Sequence, residues 1–435
     1  SNVTNMQNMF NNCTSIIKLD VDNFNTSQVT SMNGMFTGCN KLIELNLNNF
    51  NTEKVTNMAN MFWNCIGLTK LDLSNFNTSN VVNMSGMFYS CSKLVKLDIS
   101  NFNTSNVTNM QNMFNNCTSI IKLDVDNFNT SKVTNMQGVF SSCKNLIELD
   151  VSKWDISNVT NIQGTFMNCK KLTKLDINKW DTSQIINMRD VFCGDEELLE
   201  LDVSKWNTSN VTNLWGTFQD CSKLTKLDVS KWDTSKVTIC GQMQFGYGGT
   251  FQGCSNLKEL NISNWDMSQV TDMSNMFNNC NSLANLDVSQ WNTGNAIGMF
   301  CMFKNCRGLT EINVSNFDTS NVTNITSMFQ GCSNLTTLDL SSFNTSNVKN
   351  MYTVFYNDSK LKTIYVSEYN EENKTGWTIS NVTTSNYMFQ YCSNIIGGNG
   401  TTYNSNSIDA TYARIDTEET PGYFTNIKDK PAETE

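Results

Sequence analysis

Residues 105–131 read SNVTNMQNMFNNCTSIIKLDVDNFNTS, and residues 1–27 read the same, letter for letter. The offset is 104 residues, four times 26, and a period of 26 runs through nearly the whole chain. Self-similarity at a fixed period marks a repeat architecture and takes precedence over local propensity. With the aromatic residue as origin, the units begin at Phe24, Phe50, Phe76, Phe102 and Phe128, then at Trp154, Trp180, Trp206, Trp232, Trp265 and Trp291, then at Phe317, Phe343 and Tyr369. Every interval is 26 except Trp232 to Trp265, which is 33, so seven residues are inserted within 239–250 (ICGQMQFGYGGT). Thirteen full units with a partial unit at each end are expected. The predicted organisation is a solenoid over 1–396, a C-terminal cap over 397–425 and a linker or tail over 426–435. The chain opens in mid-unit, which predicts that its natural N-terminus lies upstream.

Within a unit, leucine or a close substitute recurs as a trio: Leu42, Leu45 and Leu47, then Leu68, Leu71 and Leu73, then Leu94, Leu97 and Ile99. The last two members have period 2 and read as a short strand with one face buried. Upstream, Val29, Met32, Phe36 and Cys39 have helical spacing. A single helical turn is expected from about Met32 to Thr37, preceded by extended or turn structure at the poor helix former Val29. Twenty-six residues cannot bury an apolar face alone, so the units must stack, with parallel strands about 4.8 Å apart.

The pattern L-x-x-L-D-L-S-x-[FW]-[DN]-T-S-x-V-T-x-M-x-x-M-F-x-x-C, present from Ser1 to about Cys392, resembles the repeat of BspA-type leucine-rich-repeat surface proteins of anaerobic bacteria and mycoplasmas. The segment GGNGTTYNSNSIDATYARIDTEETPGYFT, residues 397–425, is similar to the block that closes such arrays. The resemblance implies an α/β fold: a right-handed leucine-rich-repeat solenoid with a parallel sheet on its concave face and short helical turns or irregular structure on its convex face. It also implies an extracellular, cell-surface binding or adhesion protein.

Composition narrows the chemistry. The chain has no histidine, which removes the commonest general base and metal ligand. Its formal charge of −10, with lysines interspersed among acids, lacks the basic footprint of a nucleic-acid binder. No apolar run approaches the ~18 residues that span a bilayer, so direct membrane insertion of this segment is not expected. Thirteen of the sixteen cysteines occupy one position in the unit, and Asp195 and Asp358 replace it twice. That spacing has nothing in common with metal motifs and predicts a ladder of buried free thiols. Cys193, Cys240 and Cys301 stand off the register and are candidates for reactivity. The aromatic origins predict a buried spine, and the NTS and NVT phrases predict turn and cap hydrogen bonds.

Binding residues are sought on the outward positions of the strands. These include an aspartate ladder, Asp72, Asp98, Asp124, Asp150, Asp176, Asp202 and Asp228, with Lys70, Lys96, Lys122, Lys174 and Lys226 two residues earlier on the same face. Neighbouring carboxylates at strand spacing repel by ~1 kcal/mol in water. Diagonal Lys–Asp ion pairs would offset this, and calcium bridging is the alternative. Phe245 and Tyr247 in the glycine-rich insertion are further candidates for a recognition loop. The expected partner is a protein or glycan on a host or neighbouring cell. Self-association into a surface layer or filament is the rival reading. No catalytic constellation, metal site or cofactor is expected.

Overall fold

The computed structural model describes residues 2–242 and 248–432. It forms two compact units, Ser1–Asn210 and Val211–Glu435, each a stack of coils of leucine-rich-repeat type. In Ser1–Asn210 the strands are β1 (Lys18–Leu19), β2 (Glu44–Leu45), β3 (Lys70–Asp72) and β4 (Lys96–Asp98). They pair in parallel and in register, Lys70 opposite Lys96, Leu71 opposite Leu97 and Asp72 opposite Asp98. Val211–Glu435 carries β5 (Lys226–Leu227), β6 (Glu259–Leu260), β7 (Thr337–Asp339), β8 (Thr363–Val366) and β9 (Phe424–Asn426). A second parallel ladder of single bridges follows the Val-Thr pair or its Val-Val and Ile-Ile counterparts, through Asn5, Ser31, Asn57, Asn83, Asn109, Asn135, Asn161 and Asn187.

The expected helical turn at residues 32–37 is absent. Met32, Met35, Phe36 and Cys39 are fully buried, as a helix-like spacing demands. Their backbone, however, runs as successive i→i+3 turns, with Met35 N–H donating to Met32 and Cys39 N–H to Phe36. Between these bonds the N–H groups of Met32, Gly34, Phe36 and Gly38 donate to Asn57, Ala59, Met61 and Trp63 of the next coil. Such a path needs a left-handed residue two before and two after the phenylalanine: Asn8 and Asn12, Gly34 and Gly38, Asn60 and Asn64, Gly86 and Ser90. Asn and Gly adopt that region most readily, and a helix would not tolerate it twice in five residues.

The core is built of ladders. The phenylalanines of this turn stack from coil to coil, with centroids 5.6 Å apart between Phe10 and Phe36 and 5.5 Å apart between Phe88 and Phe114. The aromatic spine at the unit origin is likewise internal, with Trp154, Trp180 and Trp206 buried. Each indole Nε1–H donates to a carbonyl of the preceding coil, for example Trp154 to Val125 at 3.2 Å and Trp180 to Val151 at 3.3 Å. A phenylalanine cannot make that bond, so the Phe-to-Trp switch adds a tie between coils at each exchange. All sixteen cysteines are free thiols. In the register ladder Sγ atoms from Cys39 to Cys392 donate to the phenylalanine carbonyl one coil back, as Cys65 does to Phe36 at 3.0 Å and Cys91 to Phe62 at 3.1 Å. Burial pushes Cys91 up to about 12, Cys240 to about 12 and Cys301 to about 11, which removes the last two as reactive thiols. Thr26 of the first NTS phrase is buried and donates to Asn51 of the next coil, while Asn25 Oδ1 accepts from Ser27 N–H.

The aromatic register needs one correction. Tyr369 falls 26 residues after Phe343 by coincidence, but the residue at the spine position is Trp377, which is buried. Thr345 Oγ1 donates to Thr378 rather than to a residue 25 further on, so eight residues are added here too. They form a small excursion in which Asn370 and Thr375 bridge in antiparallel fashion.

In the first insertion, Cys240 takes a methionine position of the core and residues 241–249 replace the usual two-residue link to Thr250. Gly241 and Gly249 bridge each other at its neck. A Cβ on either would come within 2.2 Å of a backbone carbonyl oxygen of Ser274 or Asn275, so only glycine fits. At the other end of Val211–Glu435, β9 pairs in parallel with β8.

Candidate functional site

The strand face of Ser1–Asn210 presents most of the sequence-derived candidates. Along β3 the pattern is exposed, buried, exposed: Lys70 and Asp72 point outward and Leu71 inward. Register pairing carries this pattern to Lys96 and Asp98, while bridges place Lys122 opposite Glu148 and Lys174 opposite Glu200. The face thus carries a row of mixed sign and a row of aspartates. Two open grooves lie on it, about 860 Å³ between Glu44 and Asp124 and about 580 Å³ between Lys122 and Asp176. Lys226 and Asp228 belong to the corresponding face of Val211–Glu435. Phe245 and Tyr247 lie outside the described residues.

Among the described residues, Lys70, Lys96, Lys122 and Lys174 make none of the expected diagonal ion pairs with the aspartate ladder. Lys70 Nζ lies 3.6 Å from Glu44 and Lys122 Nζ 3.5 Å from Glu148, partners at the same strand position one coil away. Lys226 and Glu259 repeat this at 3.5 Å. The aspartates are occupied otherwise. Asp72 Oδ1 accepts from Ser74 Oγ at 2.7 Å and from Ser74 N–H at 3.0 Å, closing the turn after the strand. Asp98, Asp150, Asp202 and Asp228 do the same with Ser100, Ser152, Ser204 and Ser230. The serine hydroxyl and backbone bonds hold Asp72, Asp150 and Asp202 below the ordinary carboxylate range. Local hydrogen bonding therefore keeps these three ionised despite their neighbours. In the unit holding Asp124 the serine is replaced by Asp126, and a hydrogen bond between the two carboxyls raises Asp124 and lowers Asp126, which Lys153 also faces at 3.6 Å. Among the described residues no three acidic or thiol side chains converge as a metal site would require.

A third row was not among the candidates. Ile17, Ile43, Val95, Ile121, Ile147 and Leu199 immediately precede the charged row and are 59, 48, 49, 50, 43 and 54% exposed. Their sequence signal is the residue after the first leucine of each trio, which strict period-2 reading assigns to the wrong side. Backbone bonds from Ile43 to Ile17 and from Ile147 to Ile121 hold the row in line. Thr69 and Thr173 interrupt the row, leaving Val95, Ile121 and Ile147 as its longest unbroken run; in Val211–Glu435 the same position holds Thr225, Lys258, Ala284, Thr310, Thr336 and Lys362, so the larger apolar side chains belong to the first unit.

Periodic coils, with parallel strands on one side and left-handed turns in each unit, can be set beside known proteins. A family profile described as "Mycoplasma protein of unknown function, DUF285" matches residues 1–94, 89–192, 161–248, 246–369 and 307–417. The chain belongs to that family. Among solved structures, it is similar to a leucine-rich cell surface protein from Faecalibacterium prausnitzii, at 18% identity over 78% of this chain and 81% of that one, TM-score 0.43. It is also similar to a leucine-rich-repeat protein from Bacteroides ovatus, at 14% identity over 91% of this chain and 82% of that one, TM-score 0.38. No curated protein matches the chain.

Proposed function

We propose that this chain is a non-enzymatic, cell-surface binding protein that recognises protein or glycan on a host or neighbouring cell through the strand face of Ser1–Asn210. The observation that carries this reading is the exposed apolar row, unbroken over Val95, Ile121 and Ile147 and resumed at Ile17, Ile43 and Leu199 beyond Thr69 and Thr173, beside rows of lysine, glutamate and aspartate. These side chains are about half exposed, so each forgoes roughly half of the ~1.5–3 kcal/mol that full burial would return. Contiguous apolar surface rimmed by polar groups is the usual mark of an interaction site. Repetition suits binding, since identical coils multiply weak contacts into avidity, whereas a catalytic site is singular. The lack of histidine and the resemblance of the repeat to surface proteins support the same reading.

The test is an array of matrix proteins, host-cell glycoproteins and glycans probed with the whole chain and with an Ile121→Asp/Ile147→Asp variant. Both positions are about half exposed, so the variant is expected to fold with a modestly lowered melting temperature and to lose at least about tenfold in affinity. Undiminished binding by the folded variant would remove the strand face from consideration.

A further inference from the structure

The residue after each turn phenylalanine is small and polar in much of the first unit: Asn11, Thr37, Asn115, Ser141. Trp63 and Tyr89 depart from that rule in successive coils. Their rings stack 3.9 Å apart at 11°. Trp63 lies across Gly86, where a Cβ would come within 2.8 Å of its Cε3, so the glycine makes room for the indole. Tyr89 is one coil further on, while the other residues around a cleft of about 260 Å³ at Trp63 come from its own coil and the two before: Asn8, Asn33, Gly34, Thr37 and Asn60.

The amides in this cleft are open. In the coil of Asn112 the usual arrangement is complete, with Asn115 Nδ2 donating to Asn112 Oδ1 at 3.0 Å. Trp63 stands where Asn115 stands and offers no amide, so Asn60 loses that partner. Among the described residues the side-chain amides of Asn8, Asn33 and Asn60 make no hydrogen bond within the protein, and Thr37 Oγ1 is held by Asn60 carbonyl at 2.7 Å. No charged residue lines the cleft.

We propose that this cleft is a carbohydrate subsite that takes one neutral pyranose ring, its C–H face against the Trp63 indole and its hydroxyls on the amides of Asn8, Asn33 and Asn60. An aromatic face beside unpaired donors and acceptors fits a ligand that is apolar on one side and hydroxylated around its edge. A cation or anion would lack a counter-charge here, and a wholly apolar ligand would leave three amides unpaired. The volume is below the ~300–1,000 Å³ of sites for drug-sized molecules and suits a single sugar ring. The site shares no residue with the strand face, so either can fail without the other.

Saturation-transfer difference NMR tests the assignment, with the whole chain and methyl β-D-galactopyranoside or methyl β-D-glucopyranoside as the probe. Transfer to the ring C–H protons of at least one glycoside is expected, with a Kd on the order of 1 mM for so small a ligand. Trp63→Asn rebuilds the pairing of Asn112 and Asn115 and is expected to fold as the native chain does, while weakening binding at least about tenfold. Trp63→Phe keeps an aromatic face and is expected to retain part of the signal. Absence of transfer from the native protein at saturating levels of both glycosides, or equal transfer from Trp63→Asn, would overturn the proposal.

Discussion

At the scale of single residues, the thiol ladder sets a local rule that Asp195 breaks. Where other coils place a buried cysteine, Asp195 buries a carboxyl whose Oδ1 accepts from Cys169 N–H at 2.8 Å and whose Oδ2 has no partner. Burial raises its pKa well above the ordinary value, against the smaller lowering effect of that bond. The folded chain therefore holds the Asp195 proton above pH ~3.9, where the unfolded chain releases it. Stability from this site is greatest below that pH and declines as pH climbs toward the folded value. Asp195→Cys, which restores the repeat, is expected to stabilise the protein by about 1–3 kcal/mol at pH 7 and by less at pH 4, read from melts at both. A gain independent of pH would mean that packing alone is responsible. The buried ladder itself was legible in the spacing of thirteen cysteines. What spacing could not convey is that the thiol is also a donor, satisfying a carbonyl that already accepts the backbone N–H of its own turn.

Elements show most clearly where sequence reading succeeds and where it stops. The strands were legible because a leucine period of 2 has one structural meaning. Residues 32–39 were not, because Met32, Met35, Phe36 and Cys39 would be buried equally by a helix or by a run of turns. The deciding signal lay in the unburied letters, Gly34 and Gly38 and the Asn, Ser or Gly at the same places in neighbouring coils. The second insertion was hidden by Tyr369 standing where the period expects an aromatic. Truncation separates the two candidates: Trp377→Ala should cost about 3–5 kcal/mol in denaturant unfolding, and Tyr369→Ala under ~1. Comparable losses would return Tyr369 to the spine. The closing segment offers a further test. Asp416 accepts from the N–H groups of Asn399, Thr401 and Gly422 and from Thr401 Oγ1. Burial works to raise its pKa, but these bonds prevail and hold it below the ordinary value. The stability it contributes is present above the unfolded pKa of ~3.9 and is lost as pH falls through the folded value. Asp416→Asn should cost about 2–3 kcal/mol at pH 7 and proportionally less in acid, and hydrogen exchange at Thr401 and Gly422 would locate the loss.

At the scale of the whole molecule, repetition and its exceptions divide the work. The aspartate and lysine rows were legible as an outward face, but their partners were not, because in-register stacking sets each lysine against its own counterpart position rather than against an aspartate. The apolar row and the Trp63 cleft were missed because each depends on which side a residue faces after a turn, and spacing does not reveal that. Stacking also imposes a rule longer than one unit. Over the first six coils the left-handed position before phenylalanine alternates as Asn8, Gly34, Asn60, Gly86, Asn112 and Gly138, and the alternation ends there, with Gly164 and Asp190 next. A Cβ on Gly34, Gly86 or Gly138 would come within 2.3 Å of the asparagine Oδ1 one coil back. Deleting residues 79–130, two coils, keeps asparagine above glycine. Deleting residues 79–104 puts Asn60 above Asn112. The shorter deletion is expected to melt at the lower temperature, by an overpacking cost of about 1–3 kcal/mol, and the reverse order would dismiss the alternation as incidental. The turn hydrogen bonds have a last consequence. The N–H groups of Met32, Gly34, Phe36 and Gly38 all point toward the following coil, and so do their equivalents from coil to coil. Their peptide dipoles add along each stack as they do along an α-helix, but with the positive end leading in chain direction. The ladder beside them runs the other way, with the N–H groups of Thr30, Thr56 and Thr108 donating to Thr4, Thr30 and Val82 of the preceding coil, so the two rows of dipoles oppose each other across each coil.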